Sequence, residues 1–295
     1  MLLFTPDMAY NMKLAMREIV AKKIADTIKK LCIEANTNLS EDVVRAINKA
    51  LIKEKSPVAR EILRQIISNS KVAWRDKLPL CQDTGLAFIF IEIGQDVSII
   101  DGTLAEAVNE GVGRGCEDGY LRPSVAADPL DRKNTGNNTP AVIYSSFVPG
   151  ENIRINLLAK GGGAENCSAV KMFKPTTSQE EIEEFILETA TQAGANACPP
   201  MIVGVGMGGS FDQAPLLAKK SLLRELGTPH SDKKTADWEN KLLEKLNQTG
   251  IGPMGLGGAT TALAVQIEKQ PCHISSLPVA VNIECHAHRH KEAVI

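Results

Sequence analysis

Cys81, Gln82 and Asp83 place a thiol, an amide and a carboxylate side by side in "PLCQDTG" (residues 79–85), between Pro79 and Gly85. A purely structural turn rarely needs all three reactive types. The stretch precedes "LAFIFIEIG", the most apolar strand-like run of the chain. Cys198, in "NACPPM", repeats the arrangement: a loop cysteine, two prolines that fix the backbone and remove amide donors, then an apolar run. Cys285 stands just after the run "PVAVNIE". Three cysteines at strand edges, far apart in sequence, suit a cofactor assembled by the fold rather than by a local motif.

The chain holds seven cysteines and no CxxC, so a disulfide framework is not expected. Cys32 ends a helical pattern and reads as a packing residue, while Cys116 sits in a loop-like "GRGCEDG" without a partner nearby. The end of the chain concentrates soft ligands in "PCHISS" (271–276) and "ECHAHRH" (284–290), with four of the five histidines. Zinc is one reading of such a cluster. Neighbouring residues on a strand point to opposite faces, however, so Cys285 and His286 would not readily share an ion. A solvated polar terminus is the alternative.

Glycine clusters carry further candidates. "GVGMGG" (204–209) matches G-x-G-x-x-G after a strand-like run and before a helix. No following strand brings a ribose-binding acid, so a tight strand-to-helix turn accounts for it better than a dinucleotide site. "KGGGAEN" (160–166) packs three glycines between Lys160 and Asn166; exposed backbone amides of this kind bind anions. "IGPMGLGG" (251–258) could expose amides in the same way, with a crowded loop between strands as the alternative. The loop 121–141, "LRPSVAADPLDRKNTGNNTPA", is long and nearly free of apolar periodicity, as functional loops often are.

These groups must be positioned by a mixed α/β (α+β) chain, with a helical N-terminal third (1–78) packed on an α/β body (79–295). Met12, Met16, Ile19, Ile24, Ile28 and Leu31 recur near helical spacing. A second helix follows Ser40 as N-cap, and a third begins at Ser56-Pro57. Strand-like runs fall at 87–93, 141–147, 152–158, 201–205, 261–267 and 277–283. Helices fit 102–113, the segment after a capping box at Ser178 and Glu181, 214–226 and 235–247. Net charge is −2 over 295 residues, which gives no reason to expect a nucleic-acid or membrane partner. No apolar run approaches the ~20 residues of a bilayer span. The N-terminus lacks a basic flank and a cleavage site, so a soluble cytoplasmic protein is expected.

The ordered blocks "PLCQDTG", "RPSVAADPLDRKNTGNNTPA", "KGGGAEN", "CPPMIVGVGMGG", "TGIGPMGLGG", "PCHISSLPVAVN" and "CHAHRH" resemble the iron–sulfur hydro-lyases typified by class I fumarate hydratase, in particular their α subunit or the N-terminal domain of single-chain forms. Each block alone is weak; in order, from about residue 79 to 290, the set is specific. The resemblance implies a [4Fe–4S] cluster held by Cys81, Cys198 and Cys285, leaving one iron open as a Lewis acid. Arg122 would clamp a carboxylate of a small dicarboxylate. Gly162 and Lys160 would contact the substrate. Gln82, Asp83 and His273 match active-site positions, with Asp83 as the proton-transfer or water-orienting group. Cys167 and Cys272 match no ligand position and read as packing residues. The carbon-acid base is expected on a separate β subunit, in a higher αβ oligomer.

Within the family, "KGGGAEN", "GGATTALAV" and "PCHISSLPVAV" resemble the fumarase version, so hydration of fumarate to (S)-malate leads and the α subunit of L(+)-tartrate dehydratase is the alternative. A nicotinamide-dependent oxidoreductase would rest on residues 204–209 alone. A zinc-binding interaction module would rest on the terminal histidines.

Overall fold

The computed structural model describes residues 16–295; Met12 and the N-terminal stretch read against a secretory signal lie outside them. The elements are β1 (Arg17–Val20), α1 (Ala21–Thr37), α2 (Glu41–Lys53), α3 (Pro57–Asp76), β2 (Leu86–Gly94), β3 (Val97–Ile100) and α4 (Leu104–Asp118). They continue with β4 (Val142–Val148), β5 (Ile153–Lys160), a one-turn α5 (Gly162–Glu165), β6 (Ala169–Phe173), α6 (Gln179–Ala193) and β7 (Met201–Gly209). Then come α7 (Gln213–Ser221), α8 (Lys233–Gln248), β8 (Ala262–Cys272), β9 (Leu277–Glu284) and β10 (Arg289–Val294). The fold is mixed α/β, with sheets ordered β10-β5-β2-β4 and β6-β9-β7-β8 and a small β1-β3 pair.

The apolar run of β2 is continuous because both its faces are covered. Ile89, Ile91 and Ile93 join Ile24, Ile28 and Val108 in one core, while Phe88 and Phe90 join Val43, Ile47 and Leu63 of α2 and α3 in another. Strand alternation makes that division, since successive side chains point to opposite faces. Ile202 and Leu222 extend the second core toward the other sheet. There Val203, Val205, Ile267 and Val281 pack under α6 and α8.

The chain crosses between the sheets at one shared place. It leaves the first sheet after Lys160, which pairs with Leu86 at the start of β2, and enters β6 at Ala169, opposite Val281 near the end of β9. It returns from Glu284 to Arg289, which pairs with Ala159. The loops that open β2 and β7 reach the same end, since Ile202 pairs with Glu284. Burial of both inner faces fixes these registers, because a one-residue slip would expose the core side chains.

All six expected strands are present. β1, β3, β6 and β10 were not expected. Met16 and Ile19 precede α1 instead of belonging to it, Ile19 lying in β1. The expected helix over 214–226 ends at Ser221, and Leu222 and Leu226 instead anchor the following turns in the core. Ser40 does not cap α2 with its side chain; its hydroxyl donates to the His290 carbonyl at 2.9 Å. Cys116 lies in α4, not in a loop, with its Sγ 3.9 Å from that of buried Cys32. The glycine run that looked like a turn lies inside β7. A Cβ on Gly204 or Gly206 would stand 2.2 or 2.1 Å from a carbonyl of α7, so these glycines serve strand–helix packing and not a dinucleotide.

Candidate active site

Four short loops meet where the sheets join, and each carries sequence-predicted groups. In the first, the Asp83 N–H donates to Cys81 Sγ at 3.5 Å and Asp83 Oδ2 accepts the Gly162 N–H at 2.8 Å. That bond ties the turn before β2 to the turn after β5. It requires glycine at 161, where a Cβ would stand 2.9 Å from Asp83 Oδ2. Gln82 is exposed at the rim, its Oε1 3.5 Å from Cys81 Sγ.

Cys198 sits in the left-handed region at φ 49° before Pro199 and Pro200. Such a conformation is strained for a non-glycine residue and persists only where the surroundings enforce it. Here they do. Pro199 O accepts the Met254 N–H at 2.7 Å, so the glycine-rich 251–258 loop packs on this turn. Cys198 O accepts from the His286 N–H at 3.3 Å and lies 2.8 Å from His286 Nδ1, which binds the turn to the residue after Cys285.

All seven cysteines are unpaired. Burial, then the charges of Cys81, Cys167 and Asp83, push the Cys198 thiol up. Burial and the neighbouring Glu284 carboxylate push the Cys285 thiol far up, against the opposing charges of Arg289 and Lys160. Thiols held above their ordinary range by burial, as Cys198 and Cys285 are, become thiolates readily at a positively charged centre, which is the chemistry an iron–sulfur core supplies. In chemical type and placement on separate rigid turns, Cys81, Cys198 and Cys285 fit the group that the sequence implied. Cys167 neighbours them; its Sγ lies 3.3 Å from Gly163 O.

Under these loops lies a buried ionic layer that sequence reasoning missed. Lys160 is fully buried, with its ammonium on Ile283 O, Glu165 (3.2 Å) and Glu284 (3.7 Å). The expected substrate contact from Lys160 is therefore corrected: the side chain faces inward. Lys219 bonds Glu165 at 2.5 Å and lies over the Phe88 ring. Burial would raise the Glu165 carboxyl, but Lys160 and Lys219 hold it below its ordinary value. Gly162 is also committed, since its N–H is occupied by Asp83. Arg289, in a segment that read as a polar tail, is buried and donates to Asp83 O at 2.6 Å. Its only sequence signal was its place in "CHAHRH".

Arg122 is exposed on the loop that leads into β4, at the same end of the first sheet. Buried Asn138 holds the loop there. Its Nδ2 donates to Arg122 O at 3.1 Å and its Oδ1 accepts the Ser124 N–H at 2.5 Å. His273 is not brought to the site. It lies in the exposed turn between β8 and β9, its Nδ1 2.7 Å from Ser275 Oγ. The eight residues of β9 separate it from Cys285 by roughly 25 Å at about 3.3 Å per residue. Cys272 beside it is exposed, so its expected packing role is corrected too.

The terminal histidines are not a solvated tail; the His288 and His290 rings pack with centroids 4.3 Å apart, each also held by a different neighbour. His288 lies against Leu222 O at 2.8 Å and His290 is 3.7 Å from Asp42. Among the described residues no three or more of His, Cys, Asp and Glu are grouped as a single-ion site. The zinc-module reading thus finds no ligand set here.

A sequence profile of the family described as fumarate hydratase (Fumerase) matches residues 25–294. The chain belongs to the fumarate hydratase family. It is an enzyme of the hydro-lyase class within that family. Among similar proteins, one from Methanocaldococcus jannaschii, provisionally named L(+)-tartrate dehydratase subunit alpha, is 44% identical over 274 residues, covering 90% of this chain and 95% of that protein. The L(+)-tartrate dehydratase subunit alpha of Escherichia coli strain UTI89 is 31% identical over 277 residues, covering 92% and 91%. The protein of that name from Escherichia coli strain K12 is 30% identical over the same length and shares. No helix among the described residues is long and apolar enough to cross a membrane.

Proposed function

We propose that this chain is the alpha half of an iron–sulfur hydro-lyase acting on a four-carbon dicarboxylate, with dehydration of L-tartrate as the leading reaction. The observation that carries the site is the meeting of Cys81, Cys198, Cys285 and Asp83 at one sheet junction. The order of substrates follows the relatives, which carry tartrate dehydratase names along nearly the full length of this chain. It reverses the order that the sequence blocks implied. Fumarate hydration remains the second reading, favoured by the description of the family itself.

Cys81, Cys198 and Cys285 would hold a [4Fe–4S] group. When bound, that group supplies an open iron that polarises a substrate oxygen without net redox change. Arg122, on its pinned loop, binds a substrate carboxylate through its planar fork. Gln82 orients the substrate at the rim. Asp83, its carboxylate oriented by the Gly162 N–H, delivers or accepts the proton of the departing or entering water. In dehydration the substrate loses a carbon-bound proton and the adjacent hydroxyl, giving water and the enol that tautomerises to oxaloacetate.

The carbon acid needs a base beyond the ionic layer, since among the described residues Lys160, Lys219, Glu165 and Glu284 are tied to one another. A β subunit supplies it in this reading, as the alpha-subunit names of the relatives imply for those proteins. Residues 1–295 then act as one domain in a higher αβ oligomer, in a reducing cytoplasm that keeps the thiols free. The test is anaerobic co-production with a β subunit, followed by oxaloacetate formation from L-tartrate and fumarate absorbance from malate. Turnover of tartrate above malate supports the leading reading, the reverse order supports the second, and no turnover of either dicarboxylate refutes both.

A further inference from the structure

Arg289 presents a charge problem. It is 2% exposed, the largest of the wholly buried side chains, and a guanidinium does not deprotonate in a protein. Its polar contacts are neutral: NH1 donates to Asp83 O at 2.6 Å and to Asn36 Oδ1 at 3.0 Å, and its Nε is buried without a partner. The ion pairs of the junction join Lys160 and Lys219 to Glu165 and Glu284, and among the described residues none includes Arg289. Lys160 and Lys219 thus have carboxylate partners in half-buried Glu165 and buried Glu284, whereas Arg289 is a third buried cation with no carboxylate at ion-pair distance among the described residues. A buried charge with neutral partners only is strongly unfavourable unless an anion reaches it.

The position of the guanidinium says which anion. It bonds the backbone two residues beyond Cys81 and stands four residues after Cys285, so it bridges the two loops that carry these thiols. Gly161 lies beside both groups: a Cβ there would make an ordinary 3.5 Å contact with Arg289 NH2 but come within 2.9 Å of Asp83 Oδ2. The Asp83 carboxylate thus lies beside Gly161 as the guanidinium does but makes no ion pair with it, being turned to the Gly162 N–H.

We propose that Arg289 is a positioning residue whose uncompensated buried charge ties the Cys81–Asp83 turn to the Cys285 loop and balances the negative charge of three thiolates around a bound iron–sulfur group. This rests on the reading that Cys81, Cys198 and Cys285 hold such a group. It adds a residue outside the ligand set, and it assigns the spare positive charge to the thiolates instead of to folding.

Asn36→Asp tests it without deleting the arginine, because it hands Arg289 a carboxylate partner in place. If Arg289 served folding alone, the new ion pair would leave the cluster untouched. The account expects instead that the apo Asn36→Asp chain melts at or above the wild-type temperature. Its reconstituted form should release iron to a chelator about tenfold faster, the effect of a charge interaction worth one pKa unit. The midpoint potential of the bound group should move negative, since a positive charge nearby favours the reduced state. Arg289→Met should do the same, while Arg289→Lys keeps the potential near wild type. Wild-type release rate and potential in Asn36→Asp would overturn the proposal, even if Arg289→Met fails to fold. A wild-type chain that takes up neither iron nor sulfide would instead overturn the cofactor reading and, with it, this one.

Discussion

The two ends of β9 carry nearly the same chemistry and use it differently. At its start, Cys272 and His273 stand in an exposed turn whose hydrogen bonds close on Ser275 and Ser276. At its end, Cys285 and His286 enter a junction where four loops, two sheets and a buried ionic layer converge. Residue type does not distinguish the two ends. What does is how many independent backbone segments each thiol and imidazole answers to: one at the tip, several at the junction. A group assembled from distant parts of the sequence can form only at the second.

The largest effect that sharpens this contrast comes from Asp83. Asp83→Asn should lower kcat by about 10²–10⁴, the usual contribution of a positioned acid or base, while iron and sulfide per chain stay at wild-type level. Steady-state kinetics beside metal analysis checks this, and loss of iron together with activity would make Asp83 a structural strut instead.

Next, Arg122→Ala should raise KM for the dicarboxylate about 10–100-fold, as expected when a charged partner of a carboxylate is removed. Asn138→Ala should give a smaller rise by loosening the loop that Asn138 pins. An unchanged KM in both variants would place the carboxylate elsewhere.

The tip supplies the opposite control. His273→Asn should leave the iron content unchanged, because β9 lies between it and Cys285. If activity falls while iron is intact, the tip serves a junction in another chain; if iron is lost, the separation of the two ends is wrong.

The smallest effect concerns His288, which is buried, and His290, which is largely so. Burial pushes His288 down to about 4 against the opposing Asp42 carboxylate, and burial with the neighbouring His288 pushes His290 down to about 4. As pH falls, the unfolded chain takes up these protons first, near its ordinary value of about 6.5. The stability they contribute is therefore present above that value and is lost as pH falls through about 4. Urea unfolding of the apo chain should weaken by roughly 1–3 kcal/mol between about pH 7 and about pH 4.5, with a smaller loss in His288→Gln. A flat profile would mean that these imidazoles are hydrated.

The strands and the three cysteine loops were legible because burial on both faces writes long apolar runs, and because proline and glycine mark the turns beside them. β10 was not. Its sequence "RHKEAV" is polar, and it pairs along β5 with Arg289 buried and the remaining residues partly or fully exposed. Lys160 read as a ligand contact because it flanks glycines; whether an ammonium faces solvent or two carboxylates depends on Glu165 and on Glu284, which is 124 positions away. The role of Arg289 was equally hidden, since its partners Asn36 and Asp83 come from distant segments. Local pattern shows which residues are reactive. Only the meeting of loops shows which of them are free to react.

The most direct measurement is a cysteine scan of the anaerobically reconstituted chain, reading iron, sulfide and visible absorption for serine replacements at all seven positions. The account predicts about four irons and four sulfides per chain in wild type, lost on replacing Cys81, Cys198 or Cys285 and retained on replacing Cys32, Cys116, Cys167 or Cys272. A full cluster in Cys198→Ser, or one that depends on Cys167 instead, would contradict it.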